Sequence, residues 1–235
     1  MNQAKERVLI TGGASGIGAA IAKQCVADGY EVVVIDRIGD GIIADLSDAD
    51  ATAEALDKAL AGGPITRLVN NVGIVCPAPL EEQTFEELAR VMDLNVRCAM
   101  QCTQALLPGM KANGFGRIVN MSSRTTLGKE LRTAYAGAKA GLVAMARVWA
   151  LELGKYGITA NAIGPGPIMT ELWAKANPSD SPKTQAIISS VPVKRVGQPE
   201  DVANAASFLL NRNTGFVTGQ ILYVCGGVTV SSAPV

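Results

Sequence analysis

Short runs of β-branched residues alternate with longer alanine-rich segments of helical period along the whole sequence, and this alternation restricts the fold more than any other feature. RVLIT (7–11), EVVVID (31–36), GIIA (41–44), RLVNN (67–71), GRIVNM (116–121), GITANAI (157–163) and QILYV (220–224) read as strands. Segments 16–28, 48–61, 84–112, 134–154 and 199–210 read as helices. Several strands are apolar without alternation, as strands covered on both faces are. An α/β fold follows: a parallel sheet of about seven strands between two layers of helices. Only about four residues separate the second strand from the third, too few for a crossover helix, so a shortened connection is expected there. No linker or repeat divides the chain, and residues 1–235 are expected to form one domain. From 171 to 195 the text turns polar and proline-containing (NPSDSPK), which predicts a mobile segment enclosing a short helix.

Composition narrows the chemistry. With 48% hydrophobic and 18% charged residues, the chain can fill a core and is too apolar for disorder. A formal charge of +0 favours neither nucleic acid nor an anionic membrane surface. No apolar run approaches the roughly 20 residues of a membrane span. The opening MNQAKERVLITGG reads as a strand and not as a secretory signal. The cysteines, at 25, 76, 98, 102 and 225, lack CxxC spacing and are expected to be reduced packing residues in a cytoplasmic protein. Cys98 and Cys102, one helical turn apart, are read the same way. Histidine is absent. That removes His-based triads and most catalytic zinc sites, and no metal is expected. Ser, Tyr, Lys, carboxylates, Cys or a borrowed cofactor must carry any chemistry.

The first strand runs into TGGASGIG (11–18) and then an alanine-rich helix. Gly12, Gly16 and Gly18 permit a tight turn, close approach of a pyrophosphate and close packing of the helix on the sheet. The free N–H groups of the helix start would face the anion. By itself such a turn is also an ordinary strand–helix connection. Asp36 ends the second strand, where a carboxylate accepts both ribose hydroxyls of an adenosine and repels a 2′-phosphate. NAD is therefore favoured over NADP, although Arg37 beside it partly offsets the repulsion.

In TAYAGAKAGL (133–142), Tyr135 and Lys139 are four apart and share one helix face. The ammonium is expected to lower the phenol's pKa toward the working range. The tyrosine would then exchange a proton with a substrate oxygen while a hydride moves to or from nicotinamide. Small neighbours leave room for both guests. The competing reading is a surface tyrosine beside an unrelated solvated lysine.

Taken in order, TGGASGIG, NNVG, Asn95 in MDLNV, NMSS, YAGAK and PGPIMT resemble the short-chain dehydrogenase/reductase family, over nearly the whole chain. The resemblance implies a doubly wound Rossmann sheet. It makes Ser123 the hydrogen-bond partner of the reacting oxygen, with Ser122 as the alternative, Tyr135 the acid/base, and Lys139 and Asn95 members of a proton relay. For the cofactor it implies contacts from Gly12, Ser15, Gly16, Ile17, Gly18, Asp36, Tyr135 and Lys139. Asn71 and Gly73 would flank the adenosine ribose, and Asp45 with Leu46 would read the adenine. Pro165, Gly166, Ile168 and Thr170 would border the nicotinamide amide and pyrophosphate. Val72 and Cys225 depart from the family's usual alanine and aspartate. Family members act on varied alcohols and ketones, so the partner implied is a small alcohol or ketone substrate. The long helices 84–112 and 134–154 also imply a homo-oligomer, a tetramer.

Three functions are compatible with this reading. The first is an NAD-dependent oxidoreductase interconverting a secondary alcohol and a ketone. The second is an NADPH-dependent 3-oxoacyl thioester reductase, and the third a catalytically silent nucleotide-sensing protein. Arg124, Lys129 and Arg132, in the loop between Ser123 and Tyr135, would suit an anionic substrate or else face solvent or a neighbouring subunit. Trp149 fits a face between subunits and Trp173 a lid.

Overall fold

The computed structural model describes residues 5–230. Seven strands form one parallel sheet in the order β3-β2-β1-β4-β5-β6-β7. They are β1 (Arg7–Thr11), β2 (Glu31–Asp36), β3 (Ile42–Ile43), β4 (Arg67–Asn70), β5 (Gly116–Met121), β6 (Ile158–Pro165) and β7 (Ile221–Val224). The helices are α1 (Gly16–Ala27), α2 (Ala49–Leu60), α3 (Phe85–Met92), α4 (Cys98–Ala112), α5 (Thr133–Leu153), α6 (Glu171–Ala176), α7 (Pro182–Ser190) and α8 (Pro199–Leu210).

Alternation of side chains along the strands builds a core on each face. Leu9, Leu68, Ile118 and Ala160 point to the side covered by α2, α4 and α5, where Leu56, Cys98, Cys102 and Leu106 meet them. Val8, Ile10, Val69, Val119 and Ile163 point the other way, onto Ile21 and Cys25 of α1 and Val202, Ala206 and Leu209 of α8. Each fully buried aliphatic side chain contributes about 1.5–3 kcal/mol, so two such layers outweigh any single turn or cap. The cysteines are free and buried, as their scattered spacing predicts.

No helix joins β2 to β3, and the two pair in parallel through Ile35–Ile42 and Asp36–Ile43. The segment expected to be mobile holds two helices, α6 and α7, where the sequence suggests one. Trp149, on α5, is partly buried and packs against the first of these cores. Among the described residues no helix is long and apolar enough to cross a membrane.

Candidate active site

The strand order changes direction at β1, which has β2 on one side and β4 on the other. Connections leave the sheet in opposite directions from this point, so a crevice opens at the carboxyl ends of the strands. The glycine turn lies there. Gly12 and Gly16 have φ of +67° and +53°, the left-handed region that glycine enters without a Cβ penalty. A Cβ on Gly18 would overlap the Gly12 carbonyl and the Asn71 amide nitrogen, so α1 approaches the strand tips only because the position is bare.

Three strand tips are stitched around this turn. Asp36 Oδ2 accepts from the Ala14 amide (3.0 Å) and Oδ1 from its neighbour Arg37 (2.6 Å). Asn71 Nδ2 donates to the carbonyls of Thr11 (3.0 Å) and Gly12 (2.9 Å). In return the Thr11 hydroxyl accepts from the amides of Asn71 (3.0 Å) and Val72 (3.1 Å). On the far side the Thr170 methyl lies 3.3 Å from where a Gly16 Cβ would sit. Thr170 caps α6, its hydroxyl accepting from the Trp173 amide (3.1 Å), and Gly166 is tied to β7 by its amide bond to Val224 O (2.9 Å). Ser15 starts α1 without a side-chain capping bond and is exposed, so its hydroxyl and the first α1 amides are open to an anion.

The side chains of Leu46 (2% exposed) and Ile168 (5%) pack into the two cores, which leaves their backbone to meet a dinucleotide. Asp45 remains exposed, its carboxylate held below the usual range by the Ser47 amide and hydroxyl.

At the chemical end, β5 and α5 are locked together. Asn70 Nδ2 donates to Asn120 Oδ1 (2.9 Å), and Asn120 Nδ2 to Leu142 O (3.1 Å). Ser122 Oγ donates to Lys139 O (2.8 Å) and is buried. That bond fixes Ser122 to the helix backbone, while Ser123 draws the pKa of the Tyr135 phenol down. Ser123 also caps the short 3-10 turn 124–127 through the Thr125 amide (3.2 Å).

Lys139 is almost wholly buried. Its Nζ donates to Met121 O (2.8 Å) and lies 5.6 Å from the centroid of the Tyr135 ring. Burial lowers its pKa to about 8, against a smaller opposing pull from Cys98. Tyr135 departs from expectation. Burial raises its pKa, outweighing the Ser123 hydrogen bond and the charge of Arg132, and Lys139 does not lower it. The Lys139 ammonium is hydrogen-bonded to the Met121 carbonyl, and desolvation is the largest influence on the phenol.

Asn95 sits in a π-helical turn, Asp93–Arg97, between α3 and α4. Its Nδ2 donates to Val91 O (2.8 Å) and Ile74 O (3.0 Å), while Oδ1 is buried without a partner. A Cβ on Gly73 would collide with Asn95 Oδ1 and lie 3.0 Å from Lys139 Nζ, so this bare position holds the amide and ammonium around one small space. The orphaned acceptor and the bare glycines fit a bound dinucleotide with a polar group or water beside it. The Thr11 hydroxyl and the Met121 carbonyl escape sequence reading: the first is quoted within the turn without a role, and a backbone carbonyl leaves no trace in residue identities. Among the described residues no three His, Cys, Asp or Glu side chains gather to hold a metal.

The fold and this crevice define an α/β enzyme of the NAD(P)-binding kind. A family model described as enoyl-(acyl carrier protein) reductase matches residues 12–229. The chain is 37% identical to a (2S)-[(R)-hydroxy(phenyl)methyl]succinyl-CoA dehydrogenase subunit of Thauera aromatica, covering 93% of this chain and 94% of that one. It is 35% identical to the 3-oxoacyl-[acyl-carrier-protein] reductase MabA of Mycobacterium bovis, covering 94% and 92%. A solved structure described as a gluconate 5-dehydrogenase of Beutenbergia cavernae, with NADP bound at low occupancy, superposes with a TM-score of 0.91 at 30% identity, covering 97% and 98%. The chain belongs to the short-chain dehydrogenase/reductase family. It is an NAD(P)-dependent oxidoreductase acting on CH–OH and carbonyl groups.

Proposed function

We propose that this enzyme interconverts a secondary alcohol and a ketone with NAD as its preferred coenzyme. The observation that carries the reading is the convergence of Ser123, Tyr135, Lys139 and the partnerless Asn95 Oδ1 beside the glycine-lined turn. The coenzyme supplies or accepts the hydride. The Ser123 hydroxyl holds the substrate oxygen, and Tyr135 exchanges a proton with it at its phenol oxygen. Lys139 and Asn95 carry that proton onward. Gly12, Ser15, Gly16, Ile17, Gly18, Asp36, Asp45, Asn71, Gly73, Pro165, Gly166 and Thr170 line the coenzyme site.

NAD is favoured by Asp36, whose carboxylate anchors the turn where a ribose 2′-phosphate would otherwise lie. The second reading is an NADPH-linked reductase of 3-oxoacyl thioesters, favoured by the similarity to the mycobacterial enzyme and by the NADP in the related structure. We also propose a homotetramer. Val148 and Leu151 of α5, Phe85 of α3 and Met100 of α4 expose apolar surface, and Met100 also lines a groove with Ala89, Met92 and Val96 beside Arg90, Asp93 and Arg97.

A panel of ketones, oxidised sugars and 3-oxoacyl thioesters, followed by coenzyme absorbance, tests the assignment. Tyr135→Phe removes one hydroxyl and should lower turnover by about a thousandfold, while dinucleotide affinity stays within about threefold. Retention of most activity would overturn the role of Tyr135. Faster initial rates with NADPH than with NADH would overturn the coenzyme choice in favour of the second reading.

A further inference from the structure

The turn that carries Ser123 is brief. Four residues of 3-10 helix, Arg124–Leu127, follow the serine, and Gly128 N closes them by donating to Thr125 O (3.0 Å). The Thr126 amide reaches Ser123 O at 3.3 Å, longer than a usual N–H···O bond. The Thr126 hydroxyl reaches the same carbonyl at 3.0 Å. Thr126 Oγ1 also lies 3.1 Å from the hydroxyl of Tyr223, 97 residues further along the chain.

The protons in this series have one consistent order. A carbonyl only accepts, so the Thr126 proton goes to Ser123 O. The Thr126 oxygen is then the acceptor, and Tyr223 donates to it. Tyr223 is itself fixed on the sheet. It pairs with Gly164 across β6 and β7, and a Cβ on Gly164 would lie 2.6 and 2.7 Å from Cδ1 and Cε1 of its ring. The ring fills the space over that bare strand position, and its hydroxyl extends from β7 to the turn that follows β5. At the other end, Ser123 Oγ accepts from the Thr125 amide (3.2 Å), which leaves the Ser123 proton free to donate. Backbone and side chain of Ser123 are thus both held by the turn, and the turn is held by Tyr223.

We propose that Tyr223 is a positioning residue: through Thr126, its hydroxyl fixes the Ser123 backbone and so aims the Ser123 hydroxyl at the substrate oxygen. This rests on the oxidoreductase reading above and adds a residue outside the set of Ser123, Tyr135, Lys139 and Asn95. Without Tyr223 to anchor it, Thr126 changes rotamer and the Ser123 carbonyl falls back on the long amide bond. A misplacement of about 1 Å costs about a hundredfold in rate, so a partial loosening is expected to cost about tenfold.

The test uses the full chain with saturating NAD or NADP and a carbonyl substrate from the panel. Tyr223→Phe keeps the ring over Gly164 and removes only the hydroxyl. It should lower kcat about tenfold while coenzyme affinity stays within about twofold. Thr126→Val should match it, and Thr126→Ser, which keeps the relaying oxygen, should recover most of the loss. Tyr223→Phe with Thr126→Val should cost no more than about twofold beyond either alone, since both cut one tie. In a Ser123→Ala background, Tyr223→Phe should change the residual turnover by less than about twofold. A further readout needs no turnover: hydrogen exchange of the peptide spanning 122–131 should quicken about tenfold in Tyr223→Phe and in Thr126→Val. Undiminished kcat in Tyr223→Phe overturns the proposal, as does an equal loss with and without Ser123. Unaltered exchange in both variants overturns the tie itself, whatever the activity. Wild type that reduces no carbonyl, with exchange responding as expected, overturns the oxidoreductase reading instead.

Discussion

Lys139 was placed by its spacing from Tyr135, but its environment was not legible in that spacing. Its carbonyl is taken by Ser122 and its ammonium by Met121 O, at and just past the end of β5 and distant in sequence. Pair identity is written locally; the sum of burial that raises Tyr135 and lowers Lys139 is written by the whole fold. The unfolded chain keeps Lys139 protonated up to its ordinary pKa of 10.5, whereas the folded protein releases that proton near 8. Between those values the unfolded state binds more protons, so the lysine's contribution to stability rises with pH. Without added dinucleotide, the unfolding free energy of wild type minus that of Lys139→Met should rise by about 2 kcal/mol from pH ~7.5 to pH ~9.5. Urea melts at the two pH values measure it, and a flat difference would show that Lys139 keeps its proton. Ser123 and Asn95 were legible as candidates for similar reasons, while the Ser122 bond to Lys139 O, which favours Ser123 as the catalytic serine, leaves no mark in the sequence.

Elements were legible in kind and less so at their seams. The stretch 84–112 reads as one helix because apolar residues keep their period across it, yet the π-turn at Asp93–Arg97 divides it. Asn95 binding to Val91 O and Ile74 O leaves no mark in that period. The strand predicted to stop at 163 runs on to Pro165, because Gly164 and Pro165, residues that read as breakers, pair with Tyr223 and Val224 of β7. Nor did the sequence reveal how α8 is anchored. Arg67 of β4 donates to Leu210 O (2.9 Å), and Arg117 of β5 to Asn211 O (3.1 Å) and Arg212 O (2.9 Å), capping the helix's last carbonyls. The guanidiniums of Arg67, Arg117 and Arg212 surround the Phe115 ring, and Glu6 bridges Arg67 and Arg212. Burial pushes the Glu6 carboxyl up, but hydrogen bonds from Arg212 and Arg67 prevail and hold it below its ordinary 4.5. Its contribution is therefore present above that value and lost as pH falls through the lowered one. Glu6→Gln should flatten the acid side of the stability profile and lower the urea midpoint at neutral pH, where Arg67 and Arg212 are left without their carboxylate. An unchanged acid limb would show that the bridge contributes nothing.

Across the whole molecule, strand alternation gave the parallel sheet and the missing crossover after β2, because burial on both faces is visible in composition. Assembly is less legible, since an exposed apolar face looks in sequence like a buried one. Leu151 is 87% exposed and Phe85 85% exposed, large apolar side chains that a tetramer would cover. Light scattering at micromolar concentration should give a mass near four chains, and Leu151→Glu should lower it; a monomeric wild type would refute the assembly. The sheet also separates two tasks in space. β3 is two residues long and stands at the edge, joined to β2 through an exposed stretch that no core residue depends on. In the proposed assignment coenzyme preference would be set at that margin, and proton handling several strands away on β5 and α5. A lineage can therefore swap one redox currency for another by rewriting a handful of rim residues, with the reacting machinery inherited intact.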